Sequence, residues 1–214
     1  MKLYTFFRSS AAFRARIALN LKGVNFESLP KAFAKNEHRS SEYLELNPQG
    51  LIPALDIGDA VISQSMAIIE YLNDVIPSPP FLPNDPLGRA RVRSMTQAIA
   101  CDIHPLNNLR VLNYLRNPLG HDEDAVNSWY RHWITVGFAG LEEQARQFST
   151  AKRHLYQDAL SMADICLVPQ MYNARRFNVD LANFPALVAI STHLESLPAF
   201  AAARPEVQPD APAA

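Results

Sequence analysis

A chain of 214 residues, 48% of them hydrophobic, is long enough for one large domain or two small ones around a sizeable core. With 20 basic against 21 acidic residues its formal charge is -1, which excludes the positive footprint of a nucleic-acid binder or of a protein held on an anionic membrane. No apolar run approaches the ~20 residues that span a bilayer, so the expected partners are small molecules or proteins.

MKLYTFF alternates Leu3, Thr5 and Phe7 with Tyr4 and Phe6 in the period of a strand. It runs directly into Arg8, Ser9 and Ser10 and then a cationic helical pattern with apolar Phe13, Ile17, Ala18 and Leu21, ended by Gly23. This opening lacks the charged start, apolar core and cleavage site of a signal peptide. VNFESL reads as a second strand, and KAFAKNEHRSSEYLELN as a polar, partly helical segment broken at Pro48. LIPALDI and AVIS read as two further strands with Gly58-Asp59 as the hairpin turn, followed by a helix through SMAIIEYLNDVI. The predicted order is β-α-β-α-β-β-α.

The proline-rich PSPPFLPNDP can neither continue a helix nor join a sheet, which predicts an interdomain linker. Beyond it, GRARVRSMTQAIACDIHPLNNLRVLNYLR, NSWYRHWITVGFAGLEEQARQF, MADICLVPQMYNARRF and PALVAISTHLESLPAF repeat apolar residues every three or four positions, predicting helices throughout. The expected domains are 1–80 and 87–205, with 206–214 as a flexible tail. Cys101 and Cys166 sit in apolar stretches without CxxC spacing, which predicts two reduced, buried thiols in a cytoplasmic protein. No pair of His or Cys has metal-ligand spacing, so no metal is expected.

Three short stretches carry candidate chemistry. A helix start exposes unpaired N–H groups and the positive end of the macrodipole, so Arg8-Ser9-Ser10 form a ready anion site. Pro53, at the head of a strand-like run, suits either an edge position or a cis Ile52–Pro53 bond that leaves the Ile52 backbone unpaired. Gln64-Ser65 opens another helix, where Ser65 is either an N-cap for its own backbone or a hydroxyl offered to a ligand carboxylate. Elsewhere, Ser161 and Asp164 read as a capping box with Leu160 and Ile165 as its hydrophobic staple, and Trp129 and Trp133 as packing residues.

On RSSAAFRARIALNLKG, NPQGLIPALD, QSMAIIEYL, HPLNNLRVLNYL and ADICLVPQMYNARRFNVDL, the chain resembles the zeta class of cytosolic glutathione transferases. That class includes the maleylacetoacetate and maleylpyruvate isomerases, and the resemblance covers almost the whole chain. It implies an α/β plus all-α architecture: a thioredoxin-like N-terminal domain that holds glutathione as cofactor, a helical C-terminal domain with the second substrate's pocket, and a homodimer. It implies that the anion at the first helix start is the glutathione thiolate, with Ser9, Ser10 and Arg8 as catalytic residues. By the same resemblance Gln64 and Ser65 hold the γ-glutamyl end, and the Ile52 backbone pairs with the cysteinyl amide across cis-Pro53. His38, His104 and Asn108 contact the glycine end or reach in from the partner chain. Ala11 stands where the family usually has a cysteine, so a mechanism that needs a thiol there does not apply.

Arg8, Arg110 and Arg176 match arginines that line the site in the bacterial isomerases, and guanidinium groups that grip carboxylates bidentately imply a dicarboxylate substrate. The implied activity is conversion of maleylacetoacetate to fumarylacetoacetate in tyrosine and aromatic catabolism, by thiolate addition, bond rotation and elimination. The alternatives are a maleylpyruvate isomerase of gentisate breakdown and a general glutathione transferase or peroxidase. Gln157 and Leu160 stand where the family commonly has a glycine and a proline, which leaves the turn before Ser161 open.

Overall fold

The alternation at the N-terminus becomes β1 (Lys2–Thr5) in the computed structural model, which describes residues 1–212, with Leu3 and Thr5 buried. Helix α1 (Ser10–Leu21) is buried nearly all round, Arg14 and Arg16 included. It is the crossover to β2 (Glu27–Pro30), which pairs parallel with β1. Two 3₁₀ turns, Phe33–Lys35 and Glu37–Arg39, lead to α2 (Ser41–Leu46), capped by Ser40 Oγ accepting from Tyr43 N at 3.3 Å. Strand β3 (Ala54–Asp56) lies antiparallel to β1 and turns into β4 (Val61–Ser63). The turn is closed by Ile57 N to Ala60 O at 3.0 Å and by Gly58 N to the Asp56 carboxylate at 2.8 Å, and its φ of +106° at position 58 requires glycine. The sheet order is β2-β1-β3-β4, and α3 (Ser65–Val75) packs beside α1. The element order is the expected one, and the fold is thioredoxin-like.

The first residues of the proline-rich linker are held within this unit. Lys22 donates to the carbonyls of Ile76 (2.5 Å) and Pro79 (2.6 Å) and lies 3.9 Å from the centroid of the Phe81 ring.

The second unit, Leu82–Glu195, is helical. Asp85 caps α4 (Pro86–Gln97), with its carboxylate accepting from Gly88 N at 2.7 Å and proline at the first helical position. The run expected as one helix is divided by its own residues. A π-helical stretch, Ala98–Ile103, follows α4; Pro105 sits in the short α5 (His104–Leu106), and Asn108 caps α6 (Leu109–Arg116). Cys101 is exposed, against the expectation of two buried thiols, because Ile99 and Ile103 take the buried face of that stretch. Helix α7 (Glu123–Phe148) carries Trp129, whose indole donates to Leu106 O at 2.8 Å, in T-shaped contact with Trp133.

Also on α7, a Cβ at Gly137 would fall inside contact distance of Cδ1 and Cγ1 of the buried Ile103. Gly137→Ala is therefore expected to lower stability by about 1–3 kcal/mol in a denaturant titration, because overpacking outweighs the better helix propensity of alanine. A raised midpoint would mean that Ile103 moves aside at no cost.

Helix α8 (Met162–Arg176) is the most buried of the unit and opens with the expected capping box. The open turn before it is resolved: Gln157 takes φ +54°, the left-handed region a glycine occupies without strain. Helix α9 (Pro185–Glu195) completes the unit.

The segment from Ser196 groups with the first unit, whereas the sequence placed it with the helices as far as 205. Helix α10 (Pro198–Ala201) packs on α1, and Asn20 Nδ2 donates to Ala199 O at 3.0 Å. The stretch read as a flexible tail is entered by a 3₁₀ turn, Pro205–Val207, and within it the Asp210 carboxylate accepts from Phe7 N at 2.8 Å. Residues 213 and 214 of that stretch lie outside the described residues. No helix among the described residues is long and apolar enough to cross a membrane.

Candidate active site

The register of the sheet places Tyr4 beside Ala54 and Ala54 beside Ser63. The carboxyl ends of β1 and β4 and the start of β3 therefore share one end of the sheet. Three segments meet there: Phe6–Ser9 entering α1, Leu51–Pro53 entering β3, and Gln64 entering α3. They are the three stretches that the sequence singled out.

Ser9 is the N-cap of α1, with extended backbone (φ -71°, ψ 117°) and its Oγ accepting from Ala12 N at 3.2 Å. With that acceptor engaged, its O–H remains as a donor beside the positive end of the helix. Ser10 is the first helical residue and is buried. Arg8 is exposed, its guanidinium carbon 5.3 Å from the centroid of the Phe7 ring.

The Ile52–Pro53 bond is cis, the rarer of the two geometries the proline allowed. No hydrogen bond to the Ile52 backbone occurs among the described residues. The preceding carbonyl is held twice, by Tyr43 Oη at 2.7 Å and Asn47 Nδ2 at 2.8 Å. Burial pushes the Tyr43 phenol up to about 12, so it stays a donor at neutral pH. Neither Tyr43 nor Asn47 was legible as a site residue, because their partner is a backbone atom with no sequence signal.

Gln64, not Ser65, occupies the N-cap of α3, and no side chain caps that helix. Its φ of +71° with ψ 120° is a conformation that costs a non-glycine residue of order 1–3 kcal/mol and persists only where surroundings enforce it. Its Nε2 donates to Gln49 Oε1 at 2.7 Å. Ser65 follows, only 6% exposed, as the first helical residue. The α3 start thus keeps N–H groups without a side-chain cap, whereas α1 is capped by Ser9.

His38 stacks on Phe33 with centroids 4.1 Å apart, and its buried Nδ1 has no hydrogen-bond partner. Burial and the charge of Arg39 hold its pKa below the usual value, so the ring is neutral at pH 7. The His38–Arg39 turn lies against Gly50, where the φ of +59° and the close His38 carbonyl and Arg39 side chain require glycine. Phe33, Phe6, Ala12 and Ile52 belong to one apolar cluster, which ties these segments together.

The remaining candidates lie in the helical unit. His104 opens α5. Asn108 Oδ1 is engaged as the α6 cap, accepting from Arg110 N at 3.1 Å, and Arg110 is exposed. Of the two arginines ending α8, Arg175 is paired with Glu195 at 2.5 Å. Arg176 lies 4.7 Å from the centroid of the Phe177 ring, which stacks on Tyr130. Burial pushes the Tyr130 phenol up to about 12, and the Arg176 charge opposes that shift.

The four-stranded sheet in the order β2-β1-β3-β4, with the starts of α1 and α3 at one end of it, is a thioredoxin-like arrangement. Residues 1–74 match the family described as glutathione S-transferase, N-terminal domain. The chain is 47% identical over 211 residues to a probable maleylacetoacetate isomerase of Vibrio cholerae, covering 98% of this chain and 97% of that one. It is 47% identical over 210 residues to a maleylpyruvate isomerase of a Ralstonia species, covering 98% and 99%. Among solved structures, the holo form of a maleylpyruvate isomerase, a bacterial zeta-class enzyme, superposes with a TM-score of 0.97 at 46% identity over 99% of this chain and 100% of that one. A maleylacetoacetate isomerase of Methylobacterium extorquens AM1 with bound malonate and glutathione superposes with a TM-score of 0.95 at 38% identity over 100% of both chains. The chain belongs to the zeta class of the glutathione transferases, with the maleylacetoacetate and maleylpyruvate isomerases.

Proposed function

We propose that this protein is a glutathione-dependent cis–trans isomerase of maleyl keto acids, maleylacetoacetate first among them, acting as a homodimer in the cytoplasm. The observation that carries the reading is the α3 start. A strained Gln64 and a buried Ser65 hold a helix N-terminus without a side-chain cap at the same end of the sheet as the donor Ser9.

These residues fit glutathione. The N–H groups of α3 with Gln64 and Ser65 would hold the γ-glutamyl carboxylate, and the Ile52 backbone beside Pro53 would pair with the cysteinyl amide. His38, His104 and Asn108 are the candidates for the glycine end, and the amide nitrogen is the group Asn108 has to offer. Glutathione, when bound, supplies the nucleophilic sulfur that makes the double bond transiently single and is then released.

The protein's own contribution is electrostatic. Ser9 donates its O–H, and the α1 terminus its dipole, to negative charge on that sulfur, with Ser10 at the same terminus. Arg8 meets the charge that develops on the substrate carbonyl, and Arg110 and Arg176 grip carboxylates. The dicarboxylate malonate bound with glutathione in the Methylobacterium relative supports a dianionic substrate.

Maleylpyruvate is the second candidate substrate, favoured by the name of the relative at TM-score 0.97. Loss of maleyl keto acid absorbance, followed for both substrates with and without glutathione, tests the reading. Arg176→Ala is expected to lower kcat/KM about tenfold to a hundredfold, the equivalent of one charge-assisted hydrogen bond. Glutathione binding without turnover of either substrate would instead mark a general transferase.

A further inference from the structure

Arg16 is 1% exposed on a helix that is buried nearly all round, a costly place for a guanidinium unless its donors are matched. Burial lowers its pKa to about 10 while the Asp210 charge acts to raise it, so it remains cationic at neutral pH. Its donors go to backbone and hydroxyl oxygens. Nε reaches Ala203 O at 3.1 Å, Nη1 reaches Thr5 Oγ1 at 3.1 Å and Phe6 O at 3.4 Å, and Nη2 reaches Phe7 O at 2.9 Å. Phe7 N in turn donates to Asp210 Oδ2 at 2.8 Å. Residue 7 is thus held at its carbonyl by one charged group and at its N–H by another. Phe6 O, which Arg16 also contacts, accepts from Ser9 N at 3.0 Å, so the backbone of Ser9 hangs on a carbonyl that the clamp fixes.

We propose that Arg16 and Asp210 are positioning residues of the active site, a clamp across residues 6 and 7 that sets where Arg8 and Ser9 stand. The inference rests on the functional reading above only for the roles of Arg8 and Ser9. Both clamp residues act through the backbone of residues 6 and 7. Their effect is on geometry, and an error of about 1 Å at a reacting group is enough to cost a large factor in rate. For folding alone, an apolar residue at position 16 would serve as well. The carbonyls of residues 6 and 7 supply the reason for a guanidinium with donors in a fixed fork.

Asp210→Ala and Asp210→Asn separate positioning from folding, since asparagine keeps an acceptor for Phe7 N without the charge. Four quantities are read on the full-length protein: kcat and KM, the ultraviolet thiolate titration of bound glutathione, amide exchange at Phe7 and Ser9, and the denaturation midpoint. Asp210→Ala is expected to unfold cooperatively, to lower kcat about tenfold with KM little changed, to move the thiolate titration upward and to speed exchange at both amides. Asp210→Asn is expected to recover the protection and most of kcat. Wild-type kcat and thiolate titration in Asp210→Ala would overturn the proposal, as would a loss accounted for by the unfolded fraction. If the wild type neither binds glutathione nor isomerises, the functional reading fails. Exchange at Phe7 and Ser9 then decides the clamp by itself, and unchanged exchange in Asp210→Ala overturns it.

Discussion

Ser9→Ala is expected to lower kcat by about 10²- to 10³-fold, the usual cost of removing one donor aimed at a developing or held anion. The same change removes the α1 cap, because Ser9 Oγ accepts from Ala12 N at 3.2 Å, and cap loss costs about 0.5–2 kcal/mol of stability. The two effects are separable. The stability cost appears as a lower denaturation midpoint, whereas the loss in kcat persists at temperatures where the variant is fully folded. Ser9→Thr keeps both the hydroxyl and the cap and should recover much of each. If the O–H stabilises the sulfur anion, the pH profile of kcat/KM in Ser9→Ala should also move upward. Unchanged turnover in Ser9→Ala would remove the serine from the mechanism.

Asp164→Ala is expected to cost about 3–5 kcal/mol, since the carboxylate is 0% exposed and accepts from three donors that nothing else would satisfy. These are Leu155 N at 2.7 Å, Ser161 N at 2.8 Å and Ser161 Oγ at 2.9 Å. Burial pushes this carboxyl above the usual carboxylate range, up to about 7, against the pull of those hydrogen bonds. The folded state therefore holds the Asp164 proton more tightly than the unfolded chain does. Its contribution to stability is full below about pH 4 and is lost as the pH rises through about 7.

His154 faces the same carboxylate, with Nδ1 3.8 Å from Oδ2, and burial holds its pKa below the usual value, so it titrates in the opposite sense. Comparing wild type with Asp164→Asn largely cancels the histidine, which both proteins carry. The stability advantage of the wild type should narrow between about pH 4 and 7. An advantage constant over that range would show that the three donors keep Asp164 ionised.

Legibility followed the range of the interaction. The strand at Lys2–Thr5, the helix after it and the capping box at Ser161 and Asp164 each depend on residues within a few positions, and each was readable. Cys101 misled because a mixed stretch does not say which residues face inward until Ile99 and Ile103 have found their neighbours. Ser65 was a reasonable N-cap by type, but Gln64 takes that position in a backbone conformation no local preference would choose.

By itself, then, the amino-acid sequence determined the order of strands and helices, the helix starts that could receive an anion, and the family to which the chain belongs. Periods of two and 3.6 residues and side-chain caps are local, and family motifs are strings. Only the tertiary structure decided that Arg16, a polar residue in a cationic helix, is buried and holds the carbonyls of Phe6 and Phe7. It also decided that Asp210 completes the hold on Phe7 from 203 positions away. Those contacts exist because buried backbone groups must find partners, and the partner is chosen by proximity in space.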